Sequence, residues 1–242
     1  KRLNLELGGK APLIVFDDAN LDVVVPQIVM ALVAMNGQFC CTGSRVLAQR
    51  GIADRLRAAL IEAYQNVRLG ESEDPQAQLG PLIDKASVQR VDAVVAAAGS
   101  YANILVRGGP VNEGPLASGA FYRPTLIEVQ DLSTDVIQSE VFGPVQTFEI
   151  FDDEADAIMR ANATEFGLAA SVFSDDTARG RRVGKSVQAG HIWLNCWGVM
   201  SEHFEQCGFK RSGIGVLCGP RAIEQFQEIK VYASVEATPA SL

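Results

Sequence analysis

Histidine is scarce in this 242-residue chain: His191 and His203 are the only two, and no Cys-x-x-Cys pair accompanies them. A tetrahedral zinc site is built from clustered cysteine and histidine ligands, so no metal site is expected. Positive charge is also short, with 21 Lys and Arg against 29 Asp and Glu and a net charge of −8. Nucleic acid and anionic membranes both demand concentrated positive charge, and both are set aside as partners. No apolar run reaches the roughly 20 residues of a membrane span. The longest, Val23 to Met35, is interrupted by Pro26 and Gln27 and reads as a helix buried on every side. No charged segment followed by an apolar one opens the sequence, and the five cysteines are odd in number without framework spacing. A reducing, cytoplasmic setting is the expectation. Finally, no Gly-x-Gly-x-x-Gly opens a helix after a strand; Gly213-Ile214-Gly215 has the wrong continuation, so a dinucleotide-binding domain of the usual kind is missing.

What is present is enough apolar content, 48%, for a large buried core. Ala11 to Phe16 reads as a buried strand, and Asp17 to Asn20 breaks it with cap chemistry ahead of a helix from about Leu21 to Gly37. Pro26 is tolerable only near that helix's first turn. Arg45 to Gln49 reads as a strand, and Ile52, Leu56, Leu60, Tyr64 and Val67 recur at helical spacing. Val88 to Ala98 follows as a helix ended by Gly99, then strands at Asn103 to Arg107, Pro124 to Ile127 and Gln146 to Phe151. A helix to Ala161, a strand from Leu168 to Ser174, a helix from Thr177 to Val187 and a strand from Ile192 to Leu194 complete the alternation. This order predicts an α/β fold: a mainly parallel sheet with helices on both faces and functional loops at the C-terminal strand ends. Residues 1–220 form the main body. Residues 221–242 hold a helix, Ala222 to Gln227, an alternating strand, Lys230 to Val235, and a tail from Thr238 that is expected to be disordered.

The residues that can carry chemistry sit in Asn36-Gly37-Gln38-Phe39-Cys40-Cys41-Thr42-Gly43-Ser44-Arg45 and in Leu5-Glu6-Leu7-Gly8-Gly9-Lys10. Gly37 and Gly43 allow sharp turns on either side of the cysteines, so a thiol there can face a substrate with main-chain N–H groups beside it. A nucleophile and a carboxylate base are the minimum for acyl chemistry, but only folding brings Glu6 near Cys40. Taken singly, Cys40 reads as an inert buried thiol and Glu6 as a solvated strand-end acid. Cys41 faces away from Cys40 if the backbone is extended, leaving it a bystander or a redox-sensitive thiol. Cys196, Cys207 and Cys218 read as core or surface residues.

Glu-Leu-Gly-Gly-Lys, Gly-Gln-x-Cys, Gly-Ser-Arg and Glu140-Val141-Phe142-Gly143-Pro144-Val145 occur in that order. They are followed by Asn162, Gly167-Leu168-Ala169-Ala170, Ala189-Gly190 and Lys210-Arg211-Ser212-Gly213. This ordered set resembles the C-terminal, catalytic half of the NAD(P)-dependent aldehyde dehydrogenase superfamily. The resemblance implies Cys40 as nucleophile and Glu6 as the general base for a deacylating water. It implies Glu140 and Phe142, with Leu7 and Gly8, as contacts to the nicotinamide side of NAD or NADP. Glu6 also favours hydrolysis over acyl transfer to coenzyme A, since that branch of the superfamily generally lacks the glutamate. Asn195-Cys196-Trp197-Gly198 resembles the stretch where betaine-aldehyde and aminoaldehyde enzymes hold a tryptophan against a cationic substrate, although Trp197 also reads as a buried structural residue. Gln206 is a second substrate-side candidate; the segment Glu205-Gln206-Cys207-Gly208 departs from the family's usual Pro, apolar residue and Gly-Gly, and Gly215-Val216 from its Gly-Arg. The implied partners are a small-molecule aldehyde, a separate N-terminal cofactor domain and further copies of the chain paired through the terminal strand. Two other readings stay open: a catalytically silent assembly module, and a cofactor-independent thiol esterase.

Overall fold

Residues 3–235 are described by a computed structural model. In chain order the elements are β1 (Leu5–Glu6), β2 (Pro12–Val15), α1 (Leu21–Val33), β3 (Arg45–Gln49), α2 (Arg50–Gln65), α3 (Lys85–Ala98), β4 (Asn103–Val106), β5 (Gly109–Pro110), β6 (Tyr122–Arg123) and β7 (Thr125–Glu128). They continue with α4 (Asp135–Gln138), β8 (Val145–Phe151), α5 (Glu154–Ala161), β9 (Phe166–Gly167), β10 (Ala169–Phe173), α6 (Thr177–Ser186), β11 (His191–Leu194), β12 (Phe209–Lys210), β13 (Gly213–Ile214) and α7 (Gly219–Ala222). Seven strands make the central sheet in the order β11-β10-β2-β3-β8-β7-β4. All neighbours are parallel except β4, which runs antiparallel to β7 at the edge.

The continuous apolar strands follow from burial on both faces. Leu13, Val15, Val46 and Ala48 pack with α1 and α2, whereas Ile14, Phe16 and Leu47 pack with α5 and α6. A third cluster joins α3 and α4 to Ile127 and Val145. One buried ion pair, absent from the sequence reading, clamps β3 to β8: Arg45 donates to both Glu149 oxygens, at 2.8 and 2.7 Å, and to the Arg160 carbonyl at 2.9 Å.

Several expectations need correction. The first helix ends at Val33, and a 3-10 turn, Ala34–Gly37, replaces its last turn because Met35 and Asn36 take left-handed angles. Pro26 lies beyond the first turn of α1; it is exposed, on a face where water can accept the hydrogen bond that the Asp22 carbonyl loses. Nor is α1 buried all round, since Val23 and Met30 are about half exposed on that same face.

A further correction concerns the end of the sheet at which the candidate residues stand. Several C-terminal strand ends have short connections: β3 runs straight into α2, and Asp153 and Asp176 cap α5 and α6 directly after β8 and β10. The stretches that carry Glu6, Cys40 and Glu140 instead lead into β2, β3 and β8, so these candidate residues stand at the amino-terminal strand ends.

The segment expected to be helical at Ala222 to Gln227 is split into α7 and a 3-10 turn, Ile223–Phe226. Among the described residues Lys230 to Val235 pairs with no strand, and Val231, Tyr232 and Val235 are exposed. The tail from Thr238 lies outside the described residues. Among the described residues no helix is long and apolar enough to cross a membrane.

Candidate active site

Three loops converge at the amino-terminal ends of β2, β3 and β8. The thiol loop, 34–44, is shaped first by backbone conformation: Met35, Asn36 and Gly37 have φ of 48°, 60° and 72°. Side chains then clamp it, with Asn36 accepting from the Gly80 N–H at 2.7 Å and donating to the Pro81 carbonyl at 2.9 Å. Gly37 is glycine for a second reason: a Cβ there would lie 2.4 Å from the Gly143 carbonyl carbon. That contact locks the thiol loop to the 140–144 loop, which Arg90 holds from the other side by donating to the Val141 and Phe142 carbonyls at 2.6 and 3.2 Å. Phe142 sits at φ 52°, a strained angle for an aromatic residue and one found most often at sites of function.

The 6–9 strip passes between the other two loops. Its anchor is β1, paired antiparallel with β13, and the Leu7 N–H donates to the Ser212 carbonyl at 3.0 Å. Gly9 donates its N–H to Glu140 Oε1 at 3.1 Å, and a Cβ on Gly9 would lie 2.4 Å from the Cys40 carbonyl oxygen. A Cβ on Gly8 would collide with the Glu140 carboxylate, 2.4 Å from Oε2. The two glycines are therefore what lets the strip lie between Glu140 and the cysteine. Leu7 is held through its backbone, with an exposed side chain.

Cys40 is half-buried and Cys41 is buried behind it. The backbone turns here, closed by the Thr42 N–H donating to the Phe39 carbonyl at 2.9 Å, so the extended geometry that would send Cys41 away does not apply. Instead the Cys41 thiol donates to the Cys40 sulfur, and this brings the Cys40 thiol down to about 7 against the opposing effect of burial; the Cys41 N–H helps, and the charges of Glu6 and Glu140 oppose. The same bond, with burial, pushes Cys41 far above the ordinary thiol range. Glu6 stands close enough for its charge to register at both sulfurs, and partial desolvation raises its own carboxyl although the residue is mostly open to solvent. Leu7, itself exposed, gives that carboxyl little cover.

A small crevice lies beside Glu140 and Phe142, lined also by Gly9, Gly37, Thr42 and Ser44. Thr42 Oγ1 and Ser44 Oγ are buried there with no hydrogen-bond partner among the described residues. Sequence reasoning passed over both hydroxyls, although they flank Gly43 inside the thiol motif. Of the remaining substrate-side candidates, Trp197 is 9% exposed and packs under the thiol turn, its indole N–H donating to the Cys41 carbonyl at 3.1 Å. Gln206 forms a two-bond bridge with Leu217. A wider cleft between Leu3, Gly215 and residues 221–230 holds no cysteine. Among the described residues no group of three His, Cys, Asp or Glu side chains is arranged to hold a metal.

A model of the aldehyde dehydrogenase family matches residues 1–232. A betaine aldehyde dehydrogenase of Cereibacter sphaeroides (strain ATCC 17029 / ATH 2.4.9) is 38% identical over 231 residues, which cover 95% of this chain and 47% of that protein. The chain thus spans about half the length of the curated relatives it matches. A crystal structure of betaine aldehyde dehydrogenase from Staphylococcus aureus in complex with NAD+ superposes with a TM-score of 0.90 at 36% identity, over 93% of this chain and 45% of that one. A point mutant of the same enzyme, with NAD+ and a BME-modified cysteine, gives the same TM-score and identity over 93% and 46%.

Proposed function

Because the chain belongs to the aldehyde dehydrogenase family, we propose that it is the thiol-bearing catalytic portion of an enzyme that oxidises an aldehyde to a carboxylic acid with NAD or NADP. The observation that carries this reading is a half-buried thiol whose turn lies against the strip bearing Glu6, close enough that a Cβ on Gly9 would meet the Cys40 carbonyl oxygen at 2.4 Å; the Cys41 hydrogen bond brings that thiol down to about 7. At neutral pH a large share of Cys40 is thiolate, the form that attacks a carbonyl carbon. The backbone N–H of Cys40 is the donor for the oxyanion that results. Once the carbon is oxidised, the acyl group rests on Cys40 as a thioester, and Glu6 takes a proton from the water that cleaves it. Desolvation that raises the Glu6 carboxyl makes it a better base.

NAD(P), when bound, supplies the hydride acceptor. The residues here fit its nicotinamide side: Glu140 has spent one oxygen on Gly9, its second lies against side-chain-free Gly8, and Thr42 and Ser44 offer two orphaned hydroxyls in the same crevice. Glu140, Phe142 and Gly8 would hold that end, and the rest of the cofactor would fall to the portion of the family's length not spanned here. The same portion accounts for the open apolar face of α1 at Val23 and Met30. Residues 1–220 act as the catalytic body, and Lys230 to Val235 serves as an edge strand for a second copy. A reducing compartment suits five free cysteines. The aldehyde is a small molecule; burial of Trp197 beneath the turn removes its face from direct recognition of a cationic substrate.

Hydrolysis of an activated ester tests the thiol's part without any cofactor. Cys40→Ala is expected to reduce the rate to background, and a variant as active as the parent chain would contradict the assignment.

A further inference from the structure

Trp197 and Cys41 take no part in the chemistry above, yet they form a continuous series of contacts that ends on the reacting sulfur. The base of Trp197 is fixed by its own N–H, which donates to the Gln27 side chain of α1 at 2.9 Å. Its ring is fixed by Phe39 edge-on at 6.1 Å and by Trp193 at 6.0 Å. So held, the indole N–H reaches into the core and takes the Cys41 carbonyl at 3.1 Å. A buried carbonyl with a charge-neutral but rigid donor has one orientation available, because losing that bond would strand both groups. The peptide in question belongs to the turn closed by Thr42 N–H on the Phe39 carbonyl. From that turn Cys41 directs its thiol and its backbone N–H at the Cys40 sulfur. The charges of Glu6 and Glu140 press the other way.

We propose that Trp197 and Cys41 are positioning residues for Cys40: the indole N–H locks the Cys41 peptide, and the locked turn aims two donors at the attacking sulfur. The proposal rests on the reading of Cys40 as nucleophile. It gives the indole a function through its N–H, where recognition of a substrate cation would need its face. A merely structural tryptophan would also bond a core carbonyl, but its loss would change stability and leave the thiol's titration where it was.

The test is the rate of Cys40 alkylation by iodoacetamide in the full chain, followed by peptide mass spectrometry from about pH 5.5 to about pH 9.5. The parent chain is expected to show a midpoint near the value of about 7. Trp197→Phe and Cys41→Ala are expected to move that midpoint up by about one unit, which lowers the rate at pH 6 on the order of tenfold and leaves the alkaline plateau unchanged. Cys41→Ser keeps a donor and is expected to stay close to the parent profile. A Trp197→Phe or Cys41→Ala profile that superimposes on the parent, whatever happens to thermal stability, overturns the proposal alone. A parent chain whose Cys40 titrates as an ordinary thiol overturns it together with the nucleophile reading. Should Trp197→Phe fail to fold, the contrast between Cys41→Ala and Cys41→Ser decides.

Discussion

Lys10 is buried at 3% exposure, and its ammonium is pushed down to about 7, first by burial and then by Arg45, with Glu149 and Glu140 partly offsetting. Its folded pKa lies below its unfolded value, so between about 7 and 10.5 the unfolded chain holds a proton that the folded chain lacks. Stability contributed by this residue therefore rises with pH across that window and stays at its lower level beneath it. Cys40 acts in the same sense over the narrower window from about 7 to 9.0. Lys10→Met removes the first contribution and keeps the second, so the gain in urea midpoint between pH 7 and pH 9 should shrink; an undiminished gain would contradict the account. Nearby, Glu149 and Arg45 are both wholly buried. Glu149→Ala leaves the guanidinium uncompensated, a loss of about 3–5 kcal/mol, measurable by chemical unfolding; a loss below about 1 kcal/mol would mean that water enters the site.

At the scale of the element, the thiol loop depends on Gly37 both for its angle and for its contact with the 140–144 loop. Gly114 offers a control, because its φ is equally positive at 75° but a Cβ there would meet nothing within 4 Å. Gly37→Ala should therefore cost clearly more stability than Gly114→Ala, by about 1–3 kcal/mol, and should slow alkylation of Cys40 as well. Equal melting temperatures for the two variants would remove the contact from the explanation. The same loops mark how far the sequence could be read. Strands such as Leu13 to Val15 were legible because a run buried on both faces carries no polar interruption, and the helix at 85–98 was legible from its apolar spacing and closing Gly99. Which strands become neighbours is not written locally. The contact between Gly9 and Cys40 exists only because β2 lies beside β3, and the glutamate at 140 reaches Gly9 only because β8 lies on the other side of β3. The end of the sheet that bears the candidate residues was misread for a related reason: the stretches holding Glu6, Cys40 and Glu140 lead into β2, β3 and β8, and strand direction at those points follows from the pairing and not from the local sequence. Cys41 was misread because a turn between two adjacent cysteines has no signature distinct from a strand. The ordered motifs nonetheless named Cys40, Glu6, Glu140 and Gly8, whose loops the fold brings together, while the Trp197 indole bonds the Cys41 carbonyl from beneath.

For the molecule as a whole, large apolar side chains stand open, with Met35 at 67% and Val231 at 83% exposure. The terminal segment is expected to pair with a second copy through its unpaired backbone edge. Val231→Lys should then shift the chain toward monomer in analytical ultracentrifugation, and an unchanged sedimentation profile would contradict that pairing. The central claim is that folding makes one acyl-transfer site from an acid on the opening strip and the first of two adjacent thiols. Pre-steady-state hydrolysis of p-nitrophenyl acetate addresses it most directly by separating acylation from deacylation. Glu6→Gln should keep the initial burst, which reports attack by Cys40, and lower the steady-state rate on the order of a hundredfold. A variant whose steady-state rate matches that of the parent chain would contradict the claim.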